Sequence, residues 1–437
     1  MDPVSTDPRS RATPLPTGVC LAGVAVVSVL AWLIFIRPVT PLDFNVFLTG
    51  GRDVAHGRDP YPALGSPQVW SGSAFVYPWL TAWLFAPASA ISAHAAALVM
   101  TVLSTLAVAV GVWSLRGPRF IPVACVLASA PTLDGLQMGT LNAFLFLGVC
   151  LCWRWRDRAP AVGVTIGVLI TLKILCWPLA VWLLMTRRWR GAAWAGGAGT
   201  ALIGTGWILG PLGPFAYGRM LDQLSAHETD TSSSLQGILV RWSVSAHAAE
   251  LIGIACAAVL VALVSKRGDA MIFSAAVVGA LLASPVVWHH YYLLAAAPVL
   301  LIKKGEWWYL LIGWASVAPH LAYGISWRPV SLAANICLAV VCAGMIWARR
   351  DALVAAMGRA TYRTWAAALC ALTGVAALAV ALGDGTVFNA LYPSLLSVSA
   401  CVTMLVVGYV RTSPNRSGAD GNEEAEGRRT AEYVDLR

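Results

Sequence analysis

The sequence predicts an all-α polytopic membrane protein, and three observations carry that expectation. First, 58% of its 437 residues are hydrophobic and only 12% are charged, with a mean hydropathy of +0.70. A soluble domain carries about 25% charged residues. Second, many apolar runs reach or approach the ~17–25 residues that cross a bilayer as a helix. They are continuous rather than alternating, which argues against a β-barrel. Third, the basic residues cluster at the ends of these runs: Arg154/Arg156/Arg158, Arg187/Arg188/Arg190, Lys266/Arg267, Lys303/Lys304 and Arg349/Arg350. Cytoplasmic loops carry such clusters. They account for the net charge of +9 without a nucleic-acid partner.

Each element follows in order. Residues 1–17 are polar and Pro-rich and read as a disordered cytoplasmic N-terminus. The run 18–36 has no small-residue cleavage site after it and reads as an uncleaved first span. A long first outer loop, 37–77, follows. Residues 78–92 form a short, Pro-flanked, re-entrant segment, and 94–115 returns to Arg116 and Arg119. The runs 120–133, 136–153, 160–173, 174–186 and 191–210 then alternate in direction. A second outer loop spans 211–234. The runs 246–265, 270–284, 286–302, 306–324, 329–348, 363–383 and 388–410 complete a transmembrane domain, 18–410, of roughly 11–14 helices. The charged tail 411–437 reads as disordered and cytoplasmic. The ten cysteines lie almost entirely in apolar runs, contain no CxxC and read as small apolar fillers.

With every basic cluster on the inside, the unusual polar features fall together on the outside. They are Asp43, the turn 134–142, Lys173, the segment 211–241 and the stretch "WHHYY" at Trp288–Tyr292. Ionisable residues near membrane depth are functional candidates by default. Taken singly, each has a plain alternative. Asp43 precedes Phe44, Phe47 and Leu48 at helical spacing, so it reads either as an N-cap or as a carboxylate able to take a proton from a hydroxyl. Gln137, Thr140 and Asn142 read as capping and interhelical hydrogen-bonding groups. Lys173, inside "LITLKILCWPL", either snorkels or binds an anion. The run "TDTSSSLQGILVRW" places helix-capping Ser and Thr ahead of Arg241, which is suited to pair with an anion. Trp288, Tyr291 and Tyr292 read as an interfacial belt or as a sugar-stacking wall. Adjacent histidines face different sides of a helix and have no partner at zinc-like spacing, so a metal site is not expected.

Together these segments resemble glycosyltransferase family 87 across roughly 43–302. The resemblance is carried by Asp43, the turn Gly57-Arg58-Asp59-Pro60-Tyr61, Tyr77-Pro78, Gly139-Thr140-Leu141-Asn142, Lys173 with Pro178, Ser232 to Gly237 with Arg241, and Ser284-Pro285…Trp288…His290. Trp79, Thr140 and Ser232 depart from the family pattern. The resemblance implies a GT-C fold and an inverting enzyme of the plasma membrane, its site facing outward. The donor it implies is a polyprenyl-phosphate sugar, mannosyl first and arabinofuranosyl second, and the acceptor a glycolipid or envelope glycan. Asp43 is then the expected base, and Lys173, Arg241 and His290 the expected donor-phosphate ligands. Asn142, Trp288, Tyr291 and Tyr77 are the expected sugar and lipid pocket. No cofactor is expected, although a divalent cation is compatible. A lipid-linked-sugar transporter is the competing class, but no internal repeat of the kind such folds carry is apparent.

Overall fold

The computed structural model describes residues 41–302 except 128, together with residues 22, 26, 29, 351 and 354. Those isolated positions apart, the expected spans 18–36, 306–324, 329–348, 363–383 and 388–410 and both termini lie outside the described residues. Every element among the described residues is helical.

A small cap comes first. Helix α1 (Leu42–Ala55) and helix α2 (Trp79–Phe85) pack on each other and bury Phe44, Phe47, Phe75 and Phe85. Phe47 stacks on Phe85 with centroids 4.8 Å apart. Helix α3 (Ala93–Arg116) is capped by Ser92, whose side chain accepts from the Ala95 amide. The run expected as two helices from 120 to 153 is three: α4 (Phe120–Leu127), α5 (Ala130–Met138) and α6 (Asn142–Arg154). Two breakers explain the extra division. Ser129 starts α5 with Pro131 in its first turn, and Gly139 ends α5 in the left-handed region at φ 68°. A Cβ at Gly139 would lie 2.5 Å from the Phe44 Cβ, so glycine serves both the turn and the approach of α1.

Helices α7 (Ala159–Leu172) and α8 (Pro178–Met185) form a hairpin joined at residues 173–177. Its base is closed by ions. Arg188 donates to both Asp269 oxygens at 3.0 and 2.8 Å and to Asp157 at 3.1 Å. The Trp182 indole also donates to Asp269, at 2.7 Å. Since α7 rises about 21 Å over its length, Lys173 at the tip is remote from this cluster. Helix α9 (Trp189–Leu209) packs along α7 through small residues on both sides, Gly163 and Gly167 against Gly191, Ala195 and Gly199. A Cβ at Gly167 would lie 2.8 Å from the Ala198 Cβ and the Gly199 amide nitrogen. Close backbone approach of this kind gives extensive van der Waals contact between the two helices.

The second expected loop is largely helical: α10 (Pro214–Glu228) begins with proline at its first position, where a missing N–H is harmless. Helix α11 (Leu235–Arg241) is capped by the Ser234 side chain, which accepts from the Gly237 amide at 2.8 Å. Helix α12 (Ala246–Val264) leads to α13 (Asp269–Ala283), in which Met271 through Ala283 are all buried. The expected helix 286–302 does not begin as one. Residues 285–288 are non-helical, His289–Ala295 is a 3-10 helix, and α14 (Ala296–Ile302) follows. Among the described residues, α3 and α12 are long and apolar enough to cross a membrane, and α6, α7 and α13 are shorter apolar helices.

Candidate active site

A cavity of about 960 Å³ lies at the hairpin tip. It is lined from α1 (Asp43), the segment before α2 (Tyr61, Tyr77), α5 (Asp134), the tip (Lys173), α10 (Tyr217, Glu228) and the stretch 284–291. Apolar walls come from α9, with Leu202, Ile203 and Trp207, and from Ile170 and Leu175 beside Lys173.

The backbone explains why these side chains converge. At Lys173 the chain leaves the helix for φ −156°, ψ 111°, and Pro178 restarts it. The lysine is thereby presented at the tip instead of along a helix face. Its Nζ sits 3.5 Å from the Tyr291 ring centroid and 5.8 Å from that of Tyr77. A desolvated cation over two aromatic faces gains about 2 kcal/mol. Lys173 makes no ion pair with a described carboxylate.

The non-helical stretch after α13 leaves carbonyls that a continuing helix would have satisfied. The serine-rich turn takes them. Ser232 and Ser234 hydroxyls donate to the Pro285 carbonyl at 3.1 and 2.6 Å, and the Ser233 amide donates to Val287 at 2.7 Å. Gln236 donates to the Leu282 carbonyl at 2.9 Å, and Tyr292 to the Ser233 carbonyl at 2.8 Å. His289 is absorbed by this suture through Ser233 Oγ, 2.9 Å from its Nε2.

His290 is held differently. Its Nδ1 lies 3.1 Å from Asp134 Oδ2, with the two residues only 6% and 4% exposed. An ionised carboxylate can only accept, so Nδ1 carries the proton. His290 Nε2 is buried without a partner among the described residues. At Gly135 the chain also packs closely, since a Cβ there would lie 3.2 Å from Thr140 Oγ1 and 3.4 Å from the His290 Cβ.

Asp43 does not cap α1. Pro41 occupies the cap position, and Asp43 lies in the first turn with its side chain at the cavity. Burial pushes its carboxyl above the usual range; His290 and Lys173 pull it back, and Asp134 pushes it up. Glu228, at the end of α10, is pushed up to about 7, first by burial, then by Asp43, against the pull of Lys173.

Thus Asp43, Lys173, His290, Tyr77, Trp288 and Tyr291 line one cavity, whereas Arg241 and Asn142 do not. The Arg241 guanidinium donates to the carbonyls of Asp230 and Ser232 and so braces the serine turn. Buried Asn142 donates to Thr140 Oγ1 at 3.2 Å. Sequence reasoning missed two lining residues as site groups. Asp134 had a signal, an acid inside the apolar run "APTLDGLQM"; Glu228, inside polar "HETDTSSS", had none.

The model of glycosyltransferase family 87 matches residues 75–288. The match contains Tyr77, Asp134, Lys173, Glu228 and Trp288; Asp43 lies before it and His290 two residues beyond it. No curated protein and no solved structure matches the chain.

Proposed function

The chain belongs to glycosyltransferase family 87, and from that premise we propose that it is an inverting membrane glycosyltransferase. It moves a hexosyl residue, mannosyl first, from a polyprenyl-phosphate sugar to a glycolipid or envelope glycan at the outer face of the plasma membrane. The observation that carries this reading is the meeting of Asp43, Lys173 and His290, from three distant segments, in one cavity with apolar walls. A lipid-phosphate sugar needs this combination: a base for the acceptor hydroxyl, positive or hydrogen-bonding groups for the phosphate, and a greasy wall for the tail.

In this mechanism the Asp43 carboxylate takes the proton of the acceptor hydroxyl. The oxygen forms a bond to the anomeric carbon from the face opposite the phosphate, and the bond from that carbon to the phosphate oxygen breaks. Polyprenyl phosphate leaves with the electron pair. Lys173 meets its growing charge, the kind of stabilisation that usually contributes most; His290 joins it in the imidazolium form, in which Nδ1–H donates to Asp134 and Nε2–H to the phosphate. Asp134 keeps the imidazole oriented. Tyr77, Trp288 and Tyr291 shape the sugar pocket, and no metal is assigned a role. The spacing of basic clusters supports the orientation: the ion cluster of Arg188 and Asp269 stands at the opposite end of the hairpin from the cavity.

The test uses purified protein in lipid nanodiscs, wild type beside Asp43→Asn, with labelled polyprenyl-phosphate-mannose or polyprenyl-phosphate-arabinose and a glycolipid extract. Wild type is expected to transfer label, and Asp43→Asn to lose about 10²–10⁴-fold in rate while still binding donor. Transfer from the arabinosyl donor alone would replace mannose by arabinofuranose. Donor binding with no transfer from either donor would favour the transporter.

A further inference from the structure

Glu228 is a second carboxylate in the same cavity as Asp43, and the mechanism above does not use it. It ends α10 and lines the cavity together with Asp43 and Lys173, within electrostatic reach of both. Tyr77 and Tyr291, which flank the lysine, feel its charge as well. Its carboxylate has no hydrogen-bond or ion-pair partner among the described residues.

The position of Glu228 is built, not incidental. Helix α10 is tied to the segment before α2 at three points. Tyr217 donates to the Val76 carbonyl at 3.1 Å, Gln223 accepts from the Gly65 amide at 3.0 Å, and His227 stacks on Trp70 at 3.8 Å. On its other side the turn is braced. The Ser232 amide donates to the Thr229 carbonyl at 3.2 Å, and Arg241 donates to the Asp230 carbonyl. These contacts fix the residues on both sides of Glu228 and leave its side chain to the cavity. The buried, unpartnered Nε2 of His290 points independently to a ligand in the same space.

The chemistry selects which part of the reactants Glu228 can meet. A phosphate oxygen repels a carboxylate and offers no proton to it. A sugar hydroxyl donates to a carboxylate, and two neighbouring hydroxyls can occupy both of its oxygens. Tyr61 and Tyr217 line the cavity too and offer ring faces suited to a sugar. We propose that Glu228 is the acceptor-binding carboxylate of this site, and that it selects an uncharged, polyhydroxylated sugar acceptor by taking hydrogen bonds from hydroxyls beside the reacting one. The inference rests on the glycosyltransferase reading and extends it to the acceptor. Asp43 takes a proton during reaction; Glu228 holds its ligand before and after.

The experiment uses the full chain in nanodiscs with polyprenyl-phosphate-mannose as donor and mannotriose as acceptor probe, in wild type, Glu228→Gln and Glu228→Asp. Three quantities are read: KM for mannotriose, KM for donor, and donor hydrolysis without acceptor. Glu228→Gln is expected to raise the mannotriose KM by about tenfold or more, the loss of a charge-assisted contact. Donor KM is expected to stay or fall, since the variant removes a negative charge within reach of the lysine that meets the phosphate, and Glu228→Asp to recover part of the mannotriose loss. An unchanged mannotriose KM, or a raised donor KM, overturns the proposal. Equilibrium binding of labelled mannotriose separates this from failure of the glycosyltransferase reading. If wild type neither transfers nor hydrolyses donor, that reading fails, yet mannotriose binding lost in Glu228→Gln still supports Glu228 as a sugar ligand. Equal binding by the variant, or none by wild type, overturns it.

Discussion

The two ends of the α7–α8 hairpin hold the same kinds of residue and use them in opposite ways. At the base, Asp269 accepts from both arms of Arg188 and from the Trp182 indole, and Arg188 also reaches Asp157. At the tip, Lys173 rests on tyrosine faces and Asp43 and Glu228 face a cavity, with none of the three in an ion pair among the described residues. A cluster that only holds a fold pairs its buried polar groups, because an unpaired one costs about 1–3 kcal/mol. A cluster left unpaired around a void has been kept for something that enters the void. The base reads as structure and the tip as chemistry, although sequence alone shows both as charges beside apolar runs.

The largest effect that would break this comparison is at Lys173. Lys173→Met keeps the apolar stem and removes the charge. Donor-dependent turnover is expected to fall about 10²–10³-fold, the usual loss when one group facing a developing anion is removed, with thermal unfolding unchanged or slightly raised. A tip that served only packing would give the reverse: normal turnover and a lowered midpoint.

Asp269→Ala should give that reverse pattern at the base. The change orphans two donors of Arg188 and the Trp182 indole, all partly buried, so a loss of about 1–3 kcal/mol is expected. Turnover per folded molecule should be kept, since the cavity lies a helix-length away. Thermal unfolding in nanodiscs alongside the transfer assay reads both quantities. Loss of specific activity without loss of stability would show that the base is coupled to the site and would erase the contrast.

The contrast also explains what was legible beforehand. Run lengths and basic clusters foreshadowed the hairpin, because 160–173 and 174–186 meet at Lys173 and Pro178 breaks the helix. Lys173 and His290 stood out because an ionisable group in an apolar context is anomalous. The division of 120–153 into three helices was hidden, since hydropathy averages across Ser129 and Gly139. The Asp134–His290 contact joins residues 156 apart in sequence, and no local pattern encodes that. Arg241 falls outside the cavity lining, its guanidinium donating to backbone carbonyls, which every residue possesses and no sequence marks. Glu228 was invisible because acids in polar segments are ordinary; only the fold brings it opposite Asp43.

The smallest expected effect sharpens the comparison by pH. Glu228 has an ordinary value of 4.5 and is pushed up to about 7 in the folded protein, first by burial and then by Asp43. Between these two values the folded state holds a proton that the unfolded chain has released. Its contribution to stability is therefore fully present below pH 4.5, declines as pH rises toward about 7, and is flat above that. Glutamine stays neutral throughout. The thermal midpoint of Glu228→Gln minus that of wild type should thus be near zero at the acid end and positive at pH 8. Solvent reaches part of the side chain, so the gain should be about 1–3 °C. The difference between the two proteins cancels the titration of groups common to both, which leaves Glu228 and its coupling to Asp43 and Lys173. A gap that opens with rising pH means the tip carries a carboxylate the fold alone would rather leave protonated, a condition the paired base avoids. A gap of zero at every pH means that Glu228 is solvated like any loop acid, and the tip then differs from the base only at Lys173.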